Sequence, residues 1–269
     1  PGRHILLSPG RFSLAGRNLY LRASIAGSGE AETSIAGDAL GLRTGSELSG
    51  LTLKGYVYVG RGESPTLNRC AITGHQYYSG VYCPEGSAPV VTGCTISGSE
   101  PGVWCESSSP TFVDCAITRN GMTANFCGGG FQLDESFATL IGCRISRNYS
   151  LAQWPGGAGI QADGGATRLV DCEIFENVAW PGAALEGDNI TLVGCKIFGN
   201  MAGAAFLLGS SAMVNCAVWG NAGYNLYSGG ILIGVRRATS ATLTNCTISG
   251  NRCNGYADDA AVVLSRYVG

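Results

Sequence analysis

The sequence predicts an all-β parallel solenoid with three short strands in each coil, and three observations predict it. A Cys-x-Ile/Val triplet returns eight times, an Asn follows the Cys by five residues in six of those copies, and no segment sustains helical periodicity.

Taken in order, the chain opens with Ile5-Leu-Leu-Ser-Pro-Gly-Arg-Phe, Asn18-Leu-Tyr-Leu and Ser34-Ile-Ala-Gly-Asp, which read as short alternating strands divided by Gly and Pro turns. Leu48 to Leu53 is the first clear rung. From there the cysteines are Cys70, Cys94, Cys115, Cys143, Cys172, Cys195, Cys216 and Cys246, at intervals of 24, 21, 28, 29, 23, 21 and 30 residues, an imperfect period that signals stacked repeats. Each is followed two residues later by Ile72, Ile96, Ile117, Ile145, Ile174, Ile197, Val218 or Ile248. Residues two apart on a strand share a face, so sulfur and branched side chain point inward together.

Before each Cys stands Arg69, Gly93, Asp114, Gly142, Asp171, Gly194, Asn215 or Asn245, and seven of these eight are types that tolerate a left-handed backbone. A tight bend is expected there. Asn120, Asn148, Asn177, Asn200, Asn221 and Asn251 form a row of amides able to satisfy the backbone of the coils above and below. Two further strands complete a coil: one containing Val81, Val103, Phe131, Ile160 or Ile231, and one just before the bend, such as Thr111-Phe-Val or Thr191-Leu-Val. The elastic part lies between the Asn and the next strand, as in 121–130, 149–159 and 222–230. Roughly eleven coils at about 4.8 Å each give a rod on the order of 50 Å long. One domain is expected over residues 1–269, with N-terminal coils in 1–53 and Cys-x-Ile coils in 54–269.

Composition narrows the functions. A net charge of -2 with 17 scattered Lys and Arg gives no pull toward nucleic acid. No run is long and apolar enough to predict a membrane span. Eight of the 12 cysteines belong to the inward column, where they are expected as thiols, and with only His4 and His75 there is no zinc spacing. The chain begins at Pro1, as a processed chain or a fragment would.

The motifs Gly128-Gly-Gly-Phe-Gln-Leu, Ser108-Ser-Pro-Thr-Phe-Val-Asp-Cys-Ala-Ile-Thr-Arg-Asn and Ala241-Thr-Leu-Thr-Asn-Cys-Thr-Ile-Ser-Gly-Asn resemble those of right-handed parallel β-helix proteins of the pectin-lyase-like superfamily, over nearly the whole chain. The resemblance implies the fold but not one function, since that superfamily holds lyases, hydrolases, epimerases, adhesin passengers and inert scaffolds. The catalytic signatures expected of its polygalacturonase-like members are missing. Asp258-Asp259 follows Ala257, neither His has the required neighbours, and the lysines are Lys54 and Lys196. For a pectate-lyase-like base, Arg61 and Arg237 lie at opposite ends of the acidic column described next, too far apart to serve one site. No catalytic residue is assigned.

Nine residues before successive cysteines stand Glu85, Glu106, Asp134, Asp163 and Glu186, expected as an outward carboxylate column. Tyr58, Tyr82, Trp104, Gln132 and Gln161 are expected in the adjacent outward column. Stacked like charges about 5 Å apart repel by roughly 1 kcal/mol in water, so something should offset them. Carboxylates offer hard oxygens to a cation and aromatic faces stack on sugars, so this face can bind calcium, with Asp134 and Asp163 as its ligands, or a glycan. Turn chemistry alone also favours acids here, and a solvated turn row is the competing reading. Asp134 with Asp163 could also act as a carboxylate pair, as in glycosidases, although any ladder generates such pairs. Tyr77, Tyr78, Trp154, Trp180 and Tyr224 fall in the variable loops.

The chain ends in Ala260-Ala-Val-Val-Leu-Ser-Arg-Tyr, an apolar coil without an evident cap, so a protein partner or self-association is expected at the C-terminal coil. Two functions remain open. One is a non-catalytic scaffold or interaction module in an extracellular, cell-surface or larger assembly. The other is a carbohydrate-active protein, lyase- or hydrolase-like or glycan-binding, that uses the acidic and aromatic face.

Overall fold

All eight residues that precede the cysteines adopt left-handed backbone, with φ from +49° at Arg69 to +66° at Gly194, so the bend expected there is present in every copy. The computed structural model describes residues 3–14, 19–74, 77–122, 128–151, 156–224, 229–234, 240–254 and 262–265. A second left-handed position, not foreseen from the sequence, lies four residues after each Cys. It is held by Gly74, Gly98, Arg119, Arg147, Glu176, Gly199, Gly220 and Gly250. Two such bends five residues apart leave room for a strand of three residues, as in Ala71–Thr73, Ala116–Thr118 and Lys196–Phe198.

The strands preceding the Cys bend, here the second ladder, form an 11-stranded parallel sheet from Arg3–Leu6 to Ser240–Thr244, which matches the expected coil number. The Cys-x-Ile strands make the third ladder. Beyond the Asn, the chain enters the first ladder of the next coil, represented by Val81–Cys83, Val103–Glu106, Phe131–Asp134, Gly156–Asp163 and Val178–Asp188. Long strands such as Thr33–Leu42 and Thr52–Val59 run through the corner and join the first and third ladders. Adjacent coils pair in parallel, so a given position repeats along the rod and forms a column.

The core is one such set of columns. Ile72, Ile96, Ile117, Ile145, Ile174 and Ile197 are buried, and so are Cys70 to Cys216 of the repeat, all of them thiols. Their sulfurs also have a polar task. Cys115 Sγ lies 3.4 Å from the Val91 carbonyl one coil back and 3.3 Å from that of Val113, and Cys70, Cys143, Cys172 and Cys216 repeat the pattern. A small hydrophobe with a weak S–H donor suits a corner where a carbonyl would otherwise face an apolar side chain. Cys83 and Cys105, also buried, pair in register on the first ladder. Contact with the Cys105 thiol and burial together hold Cys83 well above the ordinary thiol range.

The asparagine row is a continuous ladder. From Asn120 to Asn221 each amide nitrogen donates to the Asn Oδ1 of the next coil and to the Ile carbonyl of the coil before, and Asn251 donates to the Val218 carbonyl. For Asn148 these distances are 3.0 Å to Asn177 and 2.9 Å to Ile117. The backbone N–H of each Asn bonds to the same Oδ1, and Ser99 N–H starts the ladder on Asn120. Five of the six asparagines are buried, so every donor they satisfy is one that water could not reach.

At the far end Val262–Ser265 pairs with Ile231–Gly234 as the last rung of the first ladder. Residues 255–261 and 266–269 lie outside the described residues, and so do half of the segment for which a partner was expected, Asp258-Asp259, Arg237 and Trp154. Among the described residues no helix is long and apolar enough to cross a membrane.

Candidate functional site

The outward side of the first ladder carries a column of rings. Register pairs Tyr20 with Gly41, Gly41 with Tyr58, Tyr58 with Tyr82, Tyr82 with Trp104 and Trp104 with Gln132. Gly41 has a specific use: a Cβ there would lie 2.2 Å from Tyr20 Cδ1, so only glycine lets the Tyr20 ring lean across the gap. Ring centroids are then 6.5 Å apart for Tyr20–Tyr58, 5.6 Å for Tyr58–Tyr82 and 5.6 Å for Tyr82–Trp104. Tyr78, from the loop after Gly74, stacks on Tyr56 at 4.9 Å and builds a side wall.

Two hollows follow this strip. One, of about 230 Å³, lies among Tyr20, Arg43, Tyr58, Arg61 and Glu63; the other, of about 270 Å³, lies among Tyr56, Tyr58, Tyr78, Tyr82, Glu100 and Trp104. Tyr58 belongs to both, so they form one groove along the rod.

Ring orientation matters here. Successive planes in the groove differ by 83°, 41° and 67°, so neighbours meet edge to face or at a tilt and form no closed parallel stack. A second aromatic column, on the third ladder and three residues after each Cys, behaves differently. Phe175, Phe198 and Trp219 are stacked with interplanar angles of 2° and 4°, and the Arg144 guanidinium covers Phe175 at 5.1 Å. Those faces are already occupied, and beside them Glu173 bridges Arg144 at 3.1 Å and Lys196 at 3.2 Å. The third-ladder set is a structural stack; the first-ladder set is a surface.

The carboxylate column differs from the expected one at both ends. Glu106, Asp134 and Asp163 are in register. Cys83 pairs with Cys105, which puts Pro84 rather than Glu85 beside Glu106; Glu85 lies one residue further, in the turn, ion-paired with Arg61. Glu186 pairs with Gln161 and is buried, and Ala162 pairs with Gly187, so the acid beside Asp163 is Asp188. Counting back from Cys195 misplaced Glu186 because the turn between first and second strands holds 164–166 in one coil and only Asn189 in the next.

Gln132 and Gln161, expected to face solvent beside the aromatics, are each only 4% exposed. The variable loops fold over them: Gly128 N–H donates to Gln132 Oε1 at 2.8 Å and Gly157 N–H to Gln161 Oε1 at 2.7 Å. The groove floor therefore ends at Trp104. Of the other loop aromatics, Tyr77 and Trp180 are exposed, and the Tyr224 side chain lies outside the described residues.

The repulsion within the acid column is offset by donors from the ring column. Tyr82 Oη donates to Glu106 Oε2, Trp104 Nε1 to Asp134 Oδ2 at 2.9 Å, Gln132 Nε2 to Asp134 Oδ1 at 2.5 Å, and Gln161 Nε2 to Asp163 Oδ1 at 2.8 Å. Desolvation, then the bond to Glu106 and its charge, push the Tyr82 phenol up, so it remains a donor at neutral pH. Asp163 is also raised, chiefly by desolvation and by the Asp134 and Asp188 charges, against the pull of the Gln161 and Gln132 amides. Calcium takes six to eight oxygens. Asp134 directs both of its oxygens at protein donors, and among the described residues no group of three or more His, Cys, Asp or Glu is arranged around a metal. These residues do not fit a calcium site.

The A-module of the mannuronan C-5 epimerase AlgE6 of Azotobacter vinelandii superposes with a TM-score of 0.55 at 13% identity, over 99% of this chain and 91% of that one. PfbA, a surface adhesin of Streptococcus pneumoniae, gives 0.56 at 11% identity, over 98% and 86%. The Dettilon tailspike protein gives 0.51 at 11% identity, over 94% of this chain and 60% of the tailspike. At these identities the likeness is one of fold. No curated protein matches the sequence. A family model described as a right-handed beta helix region matches residues 34–154 and 129–263, so most of the chain is accounted for, and the protein belongs to the right-handed β-helix family.

Proposed function

We propose that this chain binds polysaccharide, without a chemical step of its own, along the groove floored by Tyr20, Tyr58, Tyr82 and Trp104. One observation carries the reading: rings in register on successive coils meet at a tilt or edge to face rather than in a closed stack, so each coil adds aromatic surface to one groove along the rod. An extended glycan also repeats along one axis and offers C–H faces to rings and hydroxyls to flanking polar groups. The fold shared with a mannuronan epimerase and an adhesin adds support only at the level of architecture. Glu106 and Asp134, the acids beside the ring column, accept hydrogen bonds from Tyr82, Trp104 and Gln132, which supports binding rather than acid/base work.

Affinity electrophoresis in gels containing soluble polysaccharides tests the reading. At least one polymer should retard the chain, no new reducing ends should form, and Tyr58→Ala and Trp104→Ala should each weaken retardation by about tenfold or more, roughly 1.4 kcal/mol. Mobility unaffected by every polymer, or equal retardation of well-folded variants, would count against it.

A further inference from the structure

We infer that the groove takes the end of a glycan chain rather than an internal stretch, an inference that rests on the binding role given to the groove above. The floor is short and it stops at a defined place. Tyr58, Tyr82 and Trp104 advance one coil at a time with centroids 5.6 Å apart, and Tyr20 extends the row at 6.5 Å. These rings offer stacking surface to about four sugar units, one to each. The next three positions of the same column are Gln132, Gln161 and Glu186, only 4%, 4% and 7% exposed, so beyond Trp104 the floor is covered for three coils.

The cover is a repeated piece of structure. In two successive coils a glycine N–H donates to the Gln Oε1 four residues on, and that Gln donates to the Asp two residues further, as Gly128–Gln132–Asp134 and Gly157–Gln161–Asp163. A Cβ at Gly128 or Gly157 would collide with the carbonyl oxygen of Phe131 or Ile160, so glycine is what lets the chain double back this closely. Gly156 and Gly157 then pair in parallel with Gly182 and Ala183, and Ala183 with Gly203, which ties the covering layer from coil to coil. A polymer lying along the rings therefore meets a wall after Trp104. To continue, it must climb off the aromatic floor and forfeit contacts, whereas a chain that ends there keeps all of them.

Calorimetric titration of the full chain with cello-, xylo-, manno- and galacturono-oligosaccharides of two to eight units, and with soluble polymers of the same sugars of known chain length, tests this. For at least one series, affinity should rise at least about tenfold from two units to four, then change by less than about twofold up to eight. Each chain, oligosaccharide or polymer, should bind one protein whatever its length. Trp104→Ala, which removes the ring beside the wall, should weaken binding about tenfold at every length. Protein bound in proportion to polymer length, and still weakened by Trp104→Ala, would overturn the end preference while leaving a glycan-binding groove. Binding of no series, or binding untouched by both Trp104→Ala and Tyr58→Ala in folded protein, would overturn both.

Discussion

Asn177→Ala is expected to destabilise the protein by about 3–5 kcal/mol, far more than its size suggests. The side chain accepts from Asn148 N–H and Asn148 Nδ2, each at 3.0 Å, and donates to Ile145 O at 2.9 Å and Asn200 Oδ1 at 3.1 Å. Truncation orphans two donors and a carbonyl in a dry interior, at about 1–3 kcal/mol each with incomplete additivity. The loss should be local first, because each coil of a solenoid contacts only its neighbours. Hydrogen exchange should show the Asn148 amide losing protection while that of Asn221, two rungs away along the ladder, keeps it. Asn177→Asp should fare no better, since it keeps the acceptor but turns a second oxygen toward Ile145 O. A melting temperature within a degree or two of the parent would show that the ladder is decorative.

The second large effect is expected for Phe131→Ala. Phe131 and Phe112 are fully buried and meet edge to face, with centroids 5.1 Å apart and planes at 85°. Phe→Ala in such a core costs about 3–5 kcal/mol, because the stacked coils on either side cannot collapse into the cavity, whereas Phe131→Leu should cost about half as much. Phe131 also sits one residue before Gln132 on the strand that carries Asp134, so the alanine variant should disturb the Trp104–Asp134 bond and weaken glycan binding indirectly. Denaturant midpoints of the two variants test the stability claim; equal midpoints for Ala and Leu would contradict tight packing at this corner.

What the sequence revealed and concealed follows the periodicity. The inward Cys and Ile columns, the bend before each Cys and the Asn ladder were legible because they are counted over the constant part of a coil, where one spacing holds for every copy. The carboxylate column was half legible. Glu106, Asp134 and Asp163 sit across turns of equal length, whereas Asn189 alone spans the turn that should have aligned Glu186, and Asp188 takes its place. Gln132 and Gln161 alternate as outward residues should, yet glycine loops close over them, and loop conformation leaves no periodic signal. Tyr20 escaped notice because the first coils lack the Cys that supplies the count. The Phe175, Phe198 and Trp219 stack escaped because earlier copies of that position are Thr73, Ser97, Thr118 and Ser146.

The central claim is that the first-ladder groove, not the third-ladder stack or the loops, is where ligand sits. Hydroxyl-radical footprinting of the chain, with and without a saturating polysaccharide identified by electrophoresis, tests it most directly because it reads side chains one by one. The account predicts that Tyr58, Tyr82 and Trp104 lose most of their reactivity on binding, while Phe198 and Trp219 react as before. Protection of Phe198 and Trp219 with unchanged Tyr58 and Trp104 would contradict it.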